Sequence, residues 1–316
     1  MENKFMSINS LGKALVNELD FDFSINEKYI STLEEFNECL KRPFTEKERK
    51  IFYRGERVND SSRPLIPTFL RNKKMLLREG ELVVNIDCDY ILDFYKSQGE
   101  YYNIFKSVFG NASRYRLYEI CAFSQHYLDF SPFIDFTKSL YVALSFAIKS
   151  RDIIKDDIVI YTVDISDEEN YTNDIVTAEC WLNDYKVTVY NSPDEIRRIR
   201  PNISAATLKA ALETIESRSS ISSPQAKLID IPTNDFMKHQ QGVFLLLTDY
   251  IMLHKSYFTK NLREDFNLTK YVINKDICEY LKDMVSTEAP WYEYYCLTDL
   301  KSAIKKAVEA DTKYLL

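Results

Sequence analysis

Four short stretches carry side chains whose types and spacing suit chemistry. The first is Lys50-Ile51-Phe52-Tyr53-Arg54-Gly55, an apolar run with an arginine just before a glycine. A guanidinium on such a run needs a partner. It either grips a phosphate or carboxylate in a fork or pairs structurally with a buried carboxylate or carbonyls. The second is Gln125-His126, which holds one of three histidines. That imidazole is a candidate base or a satisfied turn residue. The third is Asp135-Phe136-Thr137, whose polar pair lies two residues apart and so on one face of an extended segment. An apolar run, Leu140 to Ile148, follows directly, which sets the pair beside a helix N-terminus suited to anions. Functionally the pair would bind ribose or phosphate; more simply, one of the two caps a helix starting near Lys138. The fourth is Gln240-Gln241-Gly242-Val243-Phe244, where side-chain amides entering a strand reach a substrate hydroxyl or form a polar turn. A hydrolase would combine His126 and Asp135 with Ser131 or Ser139, without a nucleophile elbow.

Helices and strands must bring these pieces together. Residues 1–30 read as a peripheral arm with a short helix at 11–19. Ser31 and Glu34 have capping-box spacing, and Leu33, Phe36 and Leu40 line one side of the helix they start. The Arg54 stretch is a strand. Pro64 and Pro67 confine the run up to Arg71 to a turn or a 3₁₀ piece. Residues 87–125 have helical periodicity with joints at Gly99 and Gly110. Strands are expected at 157–164, 185–190, 227–231 and 242–247, and helices at 205–216, 276–285 and 298–309. Residues 217–224 form a Ser-rich loop. Helices, then a strand-rich middle, then helices again make an α+β protein.

The totals exclude several classes. The 316 residues are 45% apolar and 28% charged, as in ordinary globular proteins, and suffice for a sizeable core. Six glycines, with no GxGxxG and no GxxxxGK[ST], argue against a glycine-rich phosphate loop. A net charge of −7 and a pI near 5.3 give no strong nucleic-acid signal. Arg197, Arg198 and Arg200, the densest cationic run, suit a solvated loop or a local basic cleft. Six cysteines without metal-ligand spacing suggest no metal and buried free thiols in a reducing cytoplasm. Met1 to Ser10 carries no signal pattern. The apolar run 243–253 contains Asp249 and is too short to span a membrane.

Taken in order, the four stretches resemble the FRG domain family. Its signature reads Phe52-Tyr53-Arg54-Gly55 here, and its proline turn ending in arginine reads Pro64-Leu65-Ile66-Pro67-Thr68-Phe69-Leu70-Arg71. Its central motif supplies Gln125, His126, Tyr127, Asp135 and Thr137, then Ala143-Leu144-Ser145-Phe146-Ala147, and its late piece matches Gln240 to Phe244. Leu128, Phe130, Ser131 and Pro132 replace the family's glycine, proline, threonine and arginine. The resemblance spans residues 31–308, leaving 309–316 as a tail. It implies a distant similarity to ADP-ribosyltransferases of the R-S-E type, with a mixed strand core like their split sheet between helical segments. It also implies NAD as co-substrate, an unidentified acceptor macromolecule, and a bacterial toxin or phage-defence role. Under it Arg54 and Gly55, with Arg71, Gln125 and Thr137, hold the nucleotide. Gln240, Gln241, His126 and Asp135 do the chemistry, with Gln240 or Gln241 where a glutamate usually stands. The other readings are a non-catalytic ligand- or partner-binding module and the His126–Asp135 hydrolase.

Overall fold

The computed structural model describes residues 26–46, 50–60, 83–85, 115–128, 131–148, 155–165, 168–183, 186–190, 226–233, 237–238, 240–247, 249–253 and 267–288, plus isolated positions between 65 and 109 and at 204. Arg71, the joints Gly99 and Gly110, the run at 197–200, the loop at 217–224 and the expected helices at 11–19, 205–216 and 298–309 lie outside the described residues.

The chain enters the sheet earlier than expected. Asn26–Ile30 (β1), assigned above to the arm, is a parallel edge strand beside Thr269–Ile273 (β11). Four of its five residues are exposed, so its backbone pairing does what its side chains do not advertise. The helical segment then begins one residue later than Ser31 suggested. The Thr32 hydroxyl accepts from the Glu35 amide, and the Glu35 carboxylate accepts from the amides of Thr32 and Ser31. The segment runs through Leu33–Phe36 (α1), a π-helical turn at Asn37–Lys41, and Arg42–Glu46 (α2). The wide turn, with Arg42 N–H bonded to Asn37 O, comes directly before Pro43, which has no N–H to give.

In chain order there follow Lys50–Glu56 (β2), Val83–Asn85 (β3), Leu117–Phe123 (α3), Ile134–Thr137 (β4), Leu140–Ile148 (α4) and Ile158–Ile165 (β5). Then come Tyr171–Thr172 (β6), Ile175–Asn183 (α5), Lys186–Tyr190 (β7), Ala226–Ile229 (β8), Gly242–Leu247 (β9), Asp249–Leu253 (β10), β11 and Cys278–Glu288 (α6). This is an α+β fold. Eight strands form one mixed sheet in the order β1-β11-β5-β2-β4-β9-β8-β6, and β10-β7-β3 form a second. The strand expected at 185–190 therefore belongs to the smaller sheet. Among the described residues no helix is long and apolar enough to cross a membrane.

Two packed clusters flank the sheet. One joins α1, α4 and α6, through Phe36, Leu144 and Leu281, to Tyr53, Ile160 and Ile273. The other joins α3 and α5, through Tyr118 and Ala178, to Phe52, Phe136, Leu228 and Phe244. Cys121 and Cys278 are buried as expected, but Cys180 is exposed on α5, whose inward residues are Ala178 and Leu182.

The β1 edge also carries an ion pair: the Lys270 ammonium donates to Glu27 at 2.6 Å, and the two residues are register partners. That bond, and then the Tyr29 hydroxyl, hold the Glu27 carboxyl below its usual range. A lowered folded pKa stabilises above the unfolded carboxylate range and is lost as pH falls through the lowered value. Melting temperature measured between about pH 6 and pH 3 should thus fall more in wild type than in Glu27→Gln, the pair being worth no more than about 1 kcal/mol at this exposure.

Candidate functional site

The sheet is least knit at its middle. β2 pairs β5 at every position from Lys50 to Glu56, yet meets β4 at the single pair Tyr53–Thr137. On its other edge β4 pairs β9 at four positions. Past Tyr53 the ladder between β2 and β4 stops, and Arg54 bridges the gap. Its Nη1 donates to the carbonyl oxygen of Asp135 and its Nε to Glu56 Oε1, both at 3.0 Å. Arg54 and Glu56 alternate onto one face of β2, and their side chains remain 23% and 21% exposed. Strand alternation offered Glu56 as the arginine's partner, a signal the sequence reading passed over. Across the ladder, Tyr161 faces Arg54, and burial pushes its phenol up to about 12, with Glu56 adding to the shift and Arg54 opposing it.

The Asp135 side chain is held from the opposite direction. α3 ends in a π-helical turn, Ser124–Leu128, from which Gln125 Nε2 donates to Asp135 Oδ2. His126 is 5% exposed, its ring 5.5 Å from that of Phe244. Phe244 is the β9 register partner of Asp135 and stacks on Phe133 at 4.5 Å.

Thr137 is a clasp. Its hydroxyl donates to Gln240 O at 2.6 Å and accepts from Ser139 N at 3.1 Å, while Lys138 N–H donates to Gln241 O at 3.0 Å. The helix α4 is capped by Ser139, whose Oγ accepts from Val142 N; Asp135 takes no part in the cap. The turn before β9 puts Gln241 at φ 49° and exposes it, while Gln240 is 6% exposed. Gly55 lies under α4, where an added Cβ would stand 1.8 Å from Ala143 O. Its place is therefore fixed by strand–helix packing. The two serines of the hydrolase reading both serve backbone amides: Ser131 Oγ accepts from Phe133 N, and Ser139 Oγ accepts from Val142 N.

A second polar group borders the clasp without having been foreseen. Lys138 Nζ reaches both carboxylate oxygens of Asp230, at 3.0 and 2.9 Å, and the Tyr171 hydroxyl donates to the same carboxylate at 2.6 Å. Burial and that bond raise the Tyr171 phenol well above its usual range.

Arg54, Gln125, Asp135, Thr137 and Gln240 are thus joined through β4, and His126 adjoins them by way of Phe244. The arrangement offers a fixed guanidinium, a half-buried carboxylate and one side-chain amide, that of Gln125, at β4, while Gln240 meets Thr137 through its backbone carbonyl. Set against known families, residues 49–155 match the model described as FRG domain. The match takes in Arg54, Gln125, Asp135 and Thr137 and stops before the glutamine turn. No curated protein and no solved structure matches the chain.

Proposed function

The chain carries an FRG domain at residues 49–155, and from that premise we propose that it binds NAD across the β2–β4 gap and transfers ADP-ribose. The observation that carries this reading is the meeting of Arg54, Gln125 and Asp135, from three separate elements, where two central strands part. Among the described residues, Glu56 and the Asp135 carbonyl each take one guanidinium N–H of Arg54, whose remaining donors suit phosphate oxygens. Gln240 is neutral, so the carboxylate that balances positive charge developing on a ribose is Asp135, set in place by Gln125. In the transfer the ribose–nicotinamide bond breaks with its electron pair leaving on nicotinamide. The acceptor's lone pair forms the new bond to the ribose carbon and the acceptor loses its proton.

Calorimetric titration with NAD tests the reading. Wild type should bind, and Arg54→Ala should lose binding while the missing charged hydrogen bonds cost about 1–3 kcal/mol of stability. Asp135→Asn should keep binding and slow nicotinamide release by about 10²–10³. No heat at millimolar NAD sinks the reading. The neutral Gln240, together with Pro132 where the family has arginine, favours a second reading, a binding module without transfer. Binding of NAD without nicotinamide release would select it.

A further inference from the structure

Arg54 stands in a polar row that crosses half the large sheet. Its register partner on β5 is Tyr161, the partner of Tyr161 on β11 is Lys270, and the partner of Lys270 on β1 is Glu27. Register partners share a face of the sheet, so the four side chains stand in one line. Neighbouring strands are about 4.8 Å apart, which sets Lys270 about 10 Å and Glu27 about 14 Å from Arg54 along that line. At the far end Lys270 Nζ donates to Glu27 Oε2, and the Tyr29 hydroxyl donates to Glu27 Oε1, both at 2.6 Å. The end of the row reaches solvent, with the Lys270 and Glu27 side chains 13% and 33% exposed. After burial, the charges that act on the Tyr161 phenol are Glu56, Arg54 and Glu27, so it lies within the field of both ends.

This order constrains a dinucleotide. Asp135 lies across the gap on one side of Arg54, and Tyr161 lies on the other. The pyrophosphate is the middle of NAD. With it on Arg54 and the nicotinamide ribose at Asp135, the other half has β5 and β11 ahead of it. We infer that Tyr161, Lys270 and Glu27 form the subsite for the adenosine half, with the ribose 2′-hydroxyl donating to Glu27. The placement rests on the NAD reading above. Each Glu27 oxygen accepts one bond, and a carboxylate has about four acceptor positions, so a ribose hydroxyl can join. A 2′-phosphate would instead bring about two negative charges against that carboxylate, while the Lys270 ammonium is already engaged by Glu27. The subsite therefore prefers NAD to NADP.

Calorimetric titration of the full chain with NAD, NADP and nicotinamide mononucleotide tests the placement. Wild type should bind NAD about tenfold or more tightly than NADP. Glu27→Gln removes the negative charge and frees Lys270 to face the phosphate. It should weaken NAD slightly and strengthen NADP, narrowing the ratio about tenfold. Lys270→Gln should widen the ratio by a similar factor. Nicotinamide mononucleotide, which ends at the phosphate on Arg54, should bind both variants as it binds wild type. Loss of support for β1 alone would weaken NAD and NADP together in Glu27→Gln, and that result overturns the inference. Equal wild-type affinity for the two dinucleotides overturns it as well, as does a fall in mononucleotide affinity as large as the fall for NAD. NAD binding with a ratio that ignores both variants sinks this inference alone; no binding of either dinucleotide sinks the NAD reading with it.

Discussion

Gly55→Ala is expected to cost about 3 kcal/mol, the upper end of overpacking penalties, because the atom it strikes is backbone. The added methyl would lie 1.8 Å from Ala143 O and 3.2 Å from Ala147 N, both backbone atoms of α4. A side chain can rotate away from such a contact, but a helix carbonyl already bonded in its ladder cannot. The helix must lift from β2 and so pull Leu140, Leu144 and Ala147 out of the cluster they share with Tyr53 and Ile160. Arg54 is the next residue on that strand, so its bridge to Asp135 should loosen at the same time. Gly242→Ala is the internal control, because its nearest neighbour is a side-chain carbon, Met237 Cγ, at 3.0 Å, and the nearest backbone atom is no closer than 3.6 Å. Urea unfolding of both variants checks the argument. A Gly55→Ala loss no larger than that of Gly242→Ala would mean that α4 does not press on β2.

Elements with a one-sided apolar pattern were legible from sequence. β2, β5 and β9 stand where alternation and β-branched composition put them, and the Phe36–Leu40 stripe packs as its helical spacing requires. Elements held mainly by backbone pairing were not. β1 is polar and exposed on four of five residues and owes its place to β11 and the Glu27–Lys270 pair. β11, only five residues long, lies far along the chain from its neighbours β1 and β5, a distance no local pattern reveals. The candidate site divides in the same way. The motif residues Arg54, Gln125, Asp135 and Thr137 lie together in the fold. Their roles depended on tertiary partners. Thr137 became a clasp because Gln240 O lies above it, the helix cap moved to Ser139, and Gly55 answered to α4. The equivalence of Gln240 and Gln241 also ended there, since one is buried and the other stands exposed in a left-handed turn.

Phe244→Ala should cost about 3–5 kcal/mol, the range for deleting a buried aromatic ring. The ring is 1% exposed, lies parallel to Phe133 within 6°, and contacts Tyr118 and His126 at centroid distances of 6.2 and 5.5 Å. Its partners belong to three elements: the lead into β4, the helix α3, and the π-helical turn that carries Gln125. Removing it leaves a cavity at the point where these elements converge, and they can close it only by moving toward one another. Such a movement shifts Gln125 relative to Asp135, so ligand binding should weaken beyond what the lost stability explains. Phe244→Leu separates the two effects, because it fills most of the volume and should cost about half as much. The measurements are unfolding free energy and NAD affinity on the same samples, at a temperature where each variant is folded. If Phe244→Ala loses stability and binds NAD as wild type does, then Gln125 and Asp135 are not positioned through this ring.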